Sequence, residues 1–331
     1  MEKRATIKDV ARLAGVSIST ASLVINGKEG VTDKRRKMVM DAVEALSYQP
    51  DNAARNLRTS ETKMIGLLIP DVRNSFYGEI TEYIRREVES YGFFLIIGIT
   101  GNSANEKKYI SEFISRKVDG VIWVPQLTYV KDVKHMKKLD AYHIPYLFLA
   151  AEYEQSNAPF VMCNLKRGAY LMTRYLLERD IRDIRLLVGD KRVDDTYISG
   201  YRKALEDENM EFGEGKVYES SYHFEDVQKL AMEILKDKPE AIMTNSDFTA
   251  CAVLQAAQMK GVSIPGELSV CGYDDVIYAM ISQIPLTTVR QPIERMCKMA
   301  VNNLMNLLRY GVMPDSVILE PTLVIRDTVR R

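Results

Sequence analysis

The stretch Ala5–Gly27, ATIKDVARLAGVSISTASLVING, decides how this chain is read. Thr6 can cap a helix start, and Asp9 stands three residues on, at the reciprocal capping position. Ile7, Val10, Ala11 and Ala14 then recur at helical spacing until Gly15 breaks the run. Ser17 is a second N-cap. Thr20, Ala21, Val24 and Ile25 carry the next helix to Asn26-Gly27, a helix stop. The pattern predicts two short helices around a glycine turn, with the small Ala11, Ala14 and Ala21 letting them approach closely.

Working outward, Thr32 opens a third helix. Arg35 and Arg36 lie in its first turns, and Met38, Val39, Ala42, Val43 and Leu46 form its apolar stripe. A helix-turn-helix followed by a third helix fits a DNA-binding head, whose second helix enters the major groove. Spacing alone also fits a small three-helix domain that binds a protein. Beyond Tyr48-Gln49-Pro50, Asp51 can cap a short segment, Asn52 to Arg58, which has little apolar surface and is marginal as an isolated helix. It reads either as a plain linker or as a hinge.

ATIKDVARLAGVSISTASLVING together with VTDKRRKMVMDAVEALSYQPDNAARNLRTSET resembles the DNA-binding head and hinge of the lactose-repressor (LacI/GalR) family. The resemblance implies that Thr6, Ser17, Thr20, Asn26, Thr32 and Arg35 touch phosphates, and that Ile18, Ser19 and Ser22 or Leu23 face base edges. It implies that the hinge folds on the operator, with Asn52, Arg55 and Arg58 near the duplex and Leu57 wedged into a minor-groove base step. The chain also departs from its resemblance. Many relatives carry an arginine suited to guanine where this sequence has Leu23, which can make only apolar contact, for instance with a thymine methyl. Readout is therefore expected to be less guanine-directed.

From Met64 onward, apolar runs at 64–70, 93–99, 120–125 and 145–150 read as buried parallel strands, with amphipathic segments near 76–91, 105–117 and 130–140 between them. A second series, 184–189, 241–244 and 268–273, alternates with helices near 165–179, 196–210, 224–237 and 247–260. Late segments 287–292 and 319–327 are expected to cross between two lobes. NSFYGEI, VDGVIWVP, SVCGYDD and PLTTVRQP are similar to the family's core motifs. The expected fold class is α/β: an N-terminal helix-turn-helix head plus a periplasmic-binding-protein type I-like core of two doubly wound parallel sheets. The expected domains are a head (1–50), a hinge helix and linker (51–61) and a core (62–331). Lobe 1 would take about 62–161 and 292–320, and lobe 2 about 162–290 and 322–331.

Ligands of such sheets bind at the carboxyl ends of the strands. The resemblance points to Asn74, Phe76, Tyr77 and Asp274 as effector-cleft residues. Trp123 is a candidate stacking platform, and core packing is the alternative for it and for Phe76 alike. Tyr197 stands where sugar- and purine-responsive relatives often carry arginine, Ser246 where they carry asparagine, and Ala150 where some carry aspartate. A common sugar effector is therefore disfavoured, and an apolar or aromatic ligand, or none, stays open.

Bulk composition agrees with a DNA-binding protein. The 331 residues carry no net charge, yet residues 1–63 hold 12 Lys and Arg against 8 Asp and Glu, a basic head on an acidic remainder. Four scattered cysteines (Cys163, Cys251, Cys271, Cys297) and three scattered histidines (His135, His143, His223) argue against disulfides and metal sites. No cofactor is expected. The N-terminus lacks an apolar run and no stretch is long enough to span a bilayer, so a cytoplasmic protein without membrane association is expected. Nucleophile-elbow, P-loop, zinc-helix and dinucleotide-binding motifs are missing from the sequence, and the adjacent Asp274-Asp275 pair suits capping or ligand binding better than catalysis. The chain is thus expected to be a regulator, not an enzyme: a repressor that binds a pseudopalindromic operator as a homodimer under effector control. The alternatives are an effector-independent or activating regulator, and, more remotely, a transport binding protein. The chain's end soon after the last strand leads to the expectation of a dimer.

Overall fold

The three N-terminal helices start where their polar caps stand. Helix α1 (Ile7–Leu13) follows Thr6, whose backbone N–H (3.0 Å) and hydroxyl (2.7 Å) both donate to the Asp9 carboxylate. Helix α2 (Ile18–Ile25) follows Ser17, whose hydroxyl accepts the Thr20 N–H at 3.1 Å. Helix α3 (Asp33–Ala45) follows Thr32. Gly15 turns the chain between α1 and α2 at φ +64°, a left-handed conformation that glycine adopts without a Cβ penalty. The Val16 N–H then returns to the Ala11 carbonyl at 3.0 Å, closing the helix end. Val10, Ala11, Ala14, Ala21, Val24, Val39 and Ala42 form the small buried core of this unit.

The structure is a computed structural model that describes residues 5–49, 61–101, 103–125, 136–152, 156–189, 195–221 and 223–331. The chain divides into two units, Met1–Thr62 and Lys63–Arg331. The hinge residues expected to meet DNA, Asn52, Arg55, Leu57 and Arg58, lie outside the described residues.

In the larger unit, strands alternate with helices: β1 (Met64–Ile69), α4 (Ser75–Ser90), β2 (Phe94–Ile99), α5 (Ser103–Ser115), β3 (Gly120–Trp123), α6 (Met136–Ala141), β4 (Tyr146–Leu149) and β5 (Phe160–Cys163). They continue as α7 (Leu165–Leu177), β6 (Ile184–Val188), α8 (Asp195–Asp207), β7 (Val217–Glu219), α9 (Phe224–Ile234), β8 (Ala241–Thr244), α10 (Asp247–Lys260) and β9 (Ser269–Cys271). The last elements are α11 (Ile277–Ile281), β10 (Thr288–Arg290), α12 (Ile293–Tyr310), β11 (Val317–Leu319) and β12 (Thr322–Val324).

Two parallel sheets result. The first runs β11-β5-β4-β3-β1-β2 and the second β7-β6-β8-β9. Period-2 alternation gives each sheet two apolar faces. On the first sheet, Leu67, Ile69, Ile122 and Leu147 pack with α4 and α12, while Leu68, Val121, Trp123 and Phe148 pack with α5 and α6. On the second, Leu186, Val188 and Met243 pack with α7 and α8, and Leu187, Ile242 and Val270 with α9 and α10. Strands β10 and β12 pair antiparallel, and Val289 of β10 and Leu323 of β12 pack with the core of the second lobe. At Gly200 an added Cβ would stand 2.1 Å from the Lys166 carbonyl oxygen, so α8 seats on α7 only because this residue has no side chain.

The sequence pattern did not point to β5, β7, α11, α12 or β11. Strands β5 and β7 are only four and three residues long. Helix α12 is 18 residues long, and its buried Ile293, Met296, Cys297, Ala300, Val301, Leu304 and Met305 keep helical spacing up to a left-handed cap at Gly311.

Candidate nucleic-acid interface and effector cleft

Helix α2 presents two faces. Ala21 and Val24 are buried against α1 and α3, which turns Ile18, Ser19, Ser22, Leu23 and Asn26 outward along the opposite side. Ile18 is 47% exposed and Leu23 37%. Ser17, Ser19 and Asn26 are exposed, whereas Thr20 and Ser22 are half-buried. The Ser17 and Thr20 hydroxyls share a 2.8 Å hydrogen bond, and the Asn26 side-chain amide donates to the Ser22 carbonyl at 2.7 Å. Thr6 at the start of α1 is exposed, as are Thr32 and Arg35 around the first turn of α3. The candidate residues on α2 and at these helix starts thus offer hydroxyls, amides and one guanidinium at the surface, the groups that meet phosphates. Arg36, half-buried, is occupied differently: its guanidinium donates to the Lys28 carbonyl at 3.0 Å.

In the core, the cleft candidates sit at the carboxyl ends of strands, but several are held by bonds inside the fold. Asn74 caps α4, its side-chain oxygen accepting the Phe76 N–H at 3.0 Å. Phe76 is buried in the core of the first lobe and meets the Tyr77 ring edge-on at 5.3 Å. Ala150, half-buried at φ +65°, packs against the same cluster. Ser246 caps α10, accepting the Thr249 N–H at 3.1 Å.

Two expectations need correction. Trp123 is fully buried with Phe113, Val118 and Phe148, on the side of the first sheet covered by α5 and α6. The strand alternation that sends Ile122 toward α4 and α12 sends Trp123 the other way, so it is core and not a stacking platform. Tyr197 is likewise buried, its hydroxyl donating to the Thr244 carbonyl at 2.8 Å and its ring lying edge-on to Tyr273 at 5.3 Å. It belongs to the second lobe's core.

Beyond the strand ends of the second sheet lies a group of buried carboxyls that was only partly legible. Asp274 is 5% exposed, and Gln291 Nε2 donates to its Oδ1 at 2.7 Å. Burial, then the neighbouring Asp247 charge, hold its carboxyl well above the usual carboxylate range. Asp247 is fully buried. Thr288 Oγ1 donates to its Oδ1 at 2.5 Å and the Val276 N–H to its Oδ2 at 2.9 Å. Burial pushes it up to about 7 against these two bonds. Glu79 on α4 is also raised by burial, opposed by a bond from the Ile277 N–H. Asp275 takes the nearby cations, Arg290 at 2.6 Å and Arg326 at 2.5 Å. The Tyr278 hydroxyl donates to the Arg73 carbonyl at 3.1 Å. Asp247 stood out in the sequence as the aspartate after Ser246 at the start of α10, whereas Thr288 and Gln291 did not, because their bonds to Asp247 and Asp274 join residues far apart in the chain. Among the described residues no group of three or more His, Cys, Asp and Glu could hold a metal ion.

Comparison with known proteins draws the two regions together. Residues 6–51 match the family described as bacterial regulatory proteins, lacI family, and residues 173–329 match a periplasmic binding protein-like domain. The HTH-type transcriptional regulator DegA of Bacillus subtilis is 32% identical over 297 residues, covering 88% of each chain. The ribose operon repressor of Haemophilus influenzae is 32% identical over 337 residues, covering 98% of each. A solved Lac repressor dimer, bound to operator and the anti-inducer ONPF, superposes with a TM-score of 0.86 at 24% identity, covering 98% of this chain and 99% of that one; this likeness is one of fold.

Proposed function

The chain belongs to the LacI family of bacterial regulatory proteins, and from that premise we propose that it represses transcription as a homodimer on a pseudopalindromic operator. The observation that carries this reading is the outward face of α2, with Ile18, Ser19, Ser22, Leu23 and Asn26 turned away from the head's core. In this reading Thr6, Ser17, Thr20, Asn26, Thr32 and Arg35 meet phosphates. Residues 1–50 form the head, 51–61 the hinge with Leu57 as the base-step wedge, and 62–331 the effector-binding and dimerising core. Asn74, Phe76, Tyr77, Ser246 and Asp274 border the effector cleft. The exposed apolar side chains of edge strand β2, Phe94, Ile97 and Ile99, and of α11, Met280 and Ile281, support burial against a second copy. The protein works in the cytoplasm as a binding protein without catalysis.

Electrophoretic mobility shift against operators selected from a random duplex pool tests the proposal, with sedimentation of the complex giving its stoichiometry. A dimer making roughly 6–10 phosphate contacts gives a log–log salt slope of about −5 to −9. A flat salt response, or a monomer on the selected duplex, would sink it.

A further inference from the structure

We infer that the recognition helix α2 reads the 5-methyl groups of thymine, so that A·T pairs occupy the half-site positions beneath Ile18 and Leu23. The inference rests on the operator-binding reading above and specifies what that reading recognises.

The inventory of α2 is unusual for a helix aimed at DNA. No residue from Leu13 to Gly27 carries a charge. The helix therefore has no guanidinium or ammonium to grip guanine O6 and N7, and no carboxylate to accept from cytosine N4. Asn26 has the one side-chain amide on this face, and its nitrogen donates to the Ser22 carbonyl at 2.7 Å and lies 3.3 Å from Ser22 Oγ. The two-point grip of an amide on adenine is thus diverted into the helix's own last turn. Ser19 and Ser22 supply hydroxyls, which serve donors and acceptors alike and discriminate little.

Ile18 and Leu23 remain. Both point outward and stay 47% and 37% exposed, while the other apolar side chains of α2 turn toward the head's core. They lie on either side of Ser19 and Ser22 on the outward face, since one helical turn plus one residue separates Ile18 from Leu23. In the major groove the thymine methyl is the apolar feature by which one base differs from the rest. Two apolar side chains seated against polar base edges would leave those edges without hydrogen-bond partners, whereas seated on methyl groups they bury carbon against carbon. The preference follows from both the favourable contact and the penalty for its alternatives.

The test uses the full-length chain and chemically altered duplexes. An operator is selected from a random pool, and each enriched thymine is replaced in turn by uracil, which removes the methyl and keeps the Watson–Crick pair. The expected result is a loss of about fourfold in affinity for each methyl beneath Ile18 or Leu23, the worth of one buried carbon. A cytosine placed at the same position should regain a similar factor when it is supplied as 5-methylcytosine. Ile18→Ala and Leu23→Ala, both at exposed positions, should each abolish the methyl effect at its own position and leave the other. Binding indifferent to uracil at every enriched position, or a methyl effect that survives both alanine variants, overturns the inference while leaving operator binding in place. If no duplex is enriched, both the inference and the operator-binding reading fall.

Discussion

On the outer face of α2 and in the buried interior of the larger unit, side chains of similar chemical promise have different surroundings. Ile18, Ser19 and Leu23 stand at the surface with their contact surfaces open. Tyr197, Asp247 and Trp123 are buried, the first two fixed by bonds to Thr244, Thr288 and Val276. A small three-helix head has one core, so burial of Ala21 and Val24 settles which way the rest of α2 points. In the inner strands of a sheet covered on both faces, each residue has a buried side to go to, and its chemistry does not say which one it takes.

The comparison can be broken at three places. The largest effect is expected at Asp247. Burial raises its pKa in the folded protein from 3.8 to about 7. A raised carboxyl favours folding while it is protonated, so its contribution is full below about pH 4 and is lost as the pH climbs to about 7. Asp247→Asn removes the titration, and the variant's stability relative to wild type should rise between pH 5 and pH 8, by up to a few kcal/mol. Chemical denaturation across that range measures it; a difference that stays constant would mean that Asp247 ionises like a surface residue. Next in size is Leu23→Arg. It should bring guanine to one symmetric pair of operator positions, worth roughly 1–3 kcal/mol at each, with head stability changed by less than about 0.5 kcal/mol. Identical selected sites for both proteins would show that position 23 does not face the groove. The smallest is Tyr197→Phe, which removes the bond to the Thr244 carbonyl and should lower core stability by about 1 kcal/mol without altering operator or effector response. If the response were lost with stability intact, Tyr197 would be a ligand-binding residue.

How much could be read from the sequence divides along the same line. The head's three N-caps, Thr6, Ser17 and Thr32, and its two stops at Gly15 and Gly27 were legible because capping and left-handed turns are local chemistry. The first four strands of the core were legible as apolar runs. Helix α12 carried a regular stripe from Ile293 to Met305 and went unread beside the crossing segments that flank it. Strands β5, β7 and β11 are too short to show a period and exist because the sheet accepts them. Asp274 was legible through the family motif and Asp247 through the pair it forms with Ser246, whereas Thr288 and Gln291 depend on contacts between segments far apart in the chain.

The uncharged run from Leu13 to Gly27 also bears on how the protein finds its site in a cell. Charges on the rest of the head govern how long it lingers on any duplex, and that residence shortens as ionic strength rises. Discrimination by α2 rests on contacts between neutral groups, which mobile ions do not screen. The ratio by which the right sequence is preferred over the surplus of wrong ones should therefore hold nearly constant when the cell's ion content swings, even as total occupancy changes. An osmotic shock would thin the population of bound repressor everywhere at once without sending it to the wrong addresses.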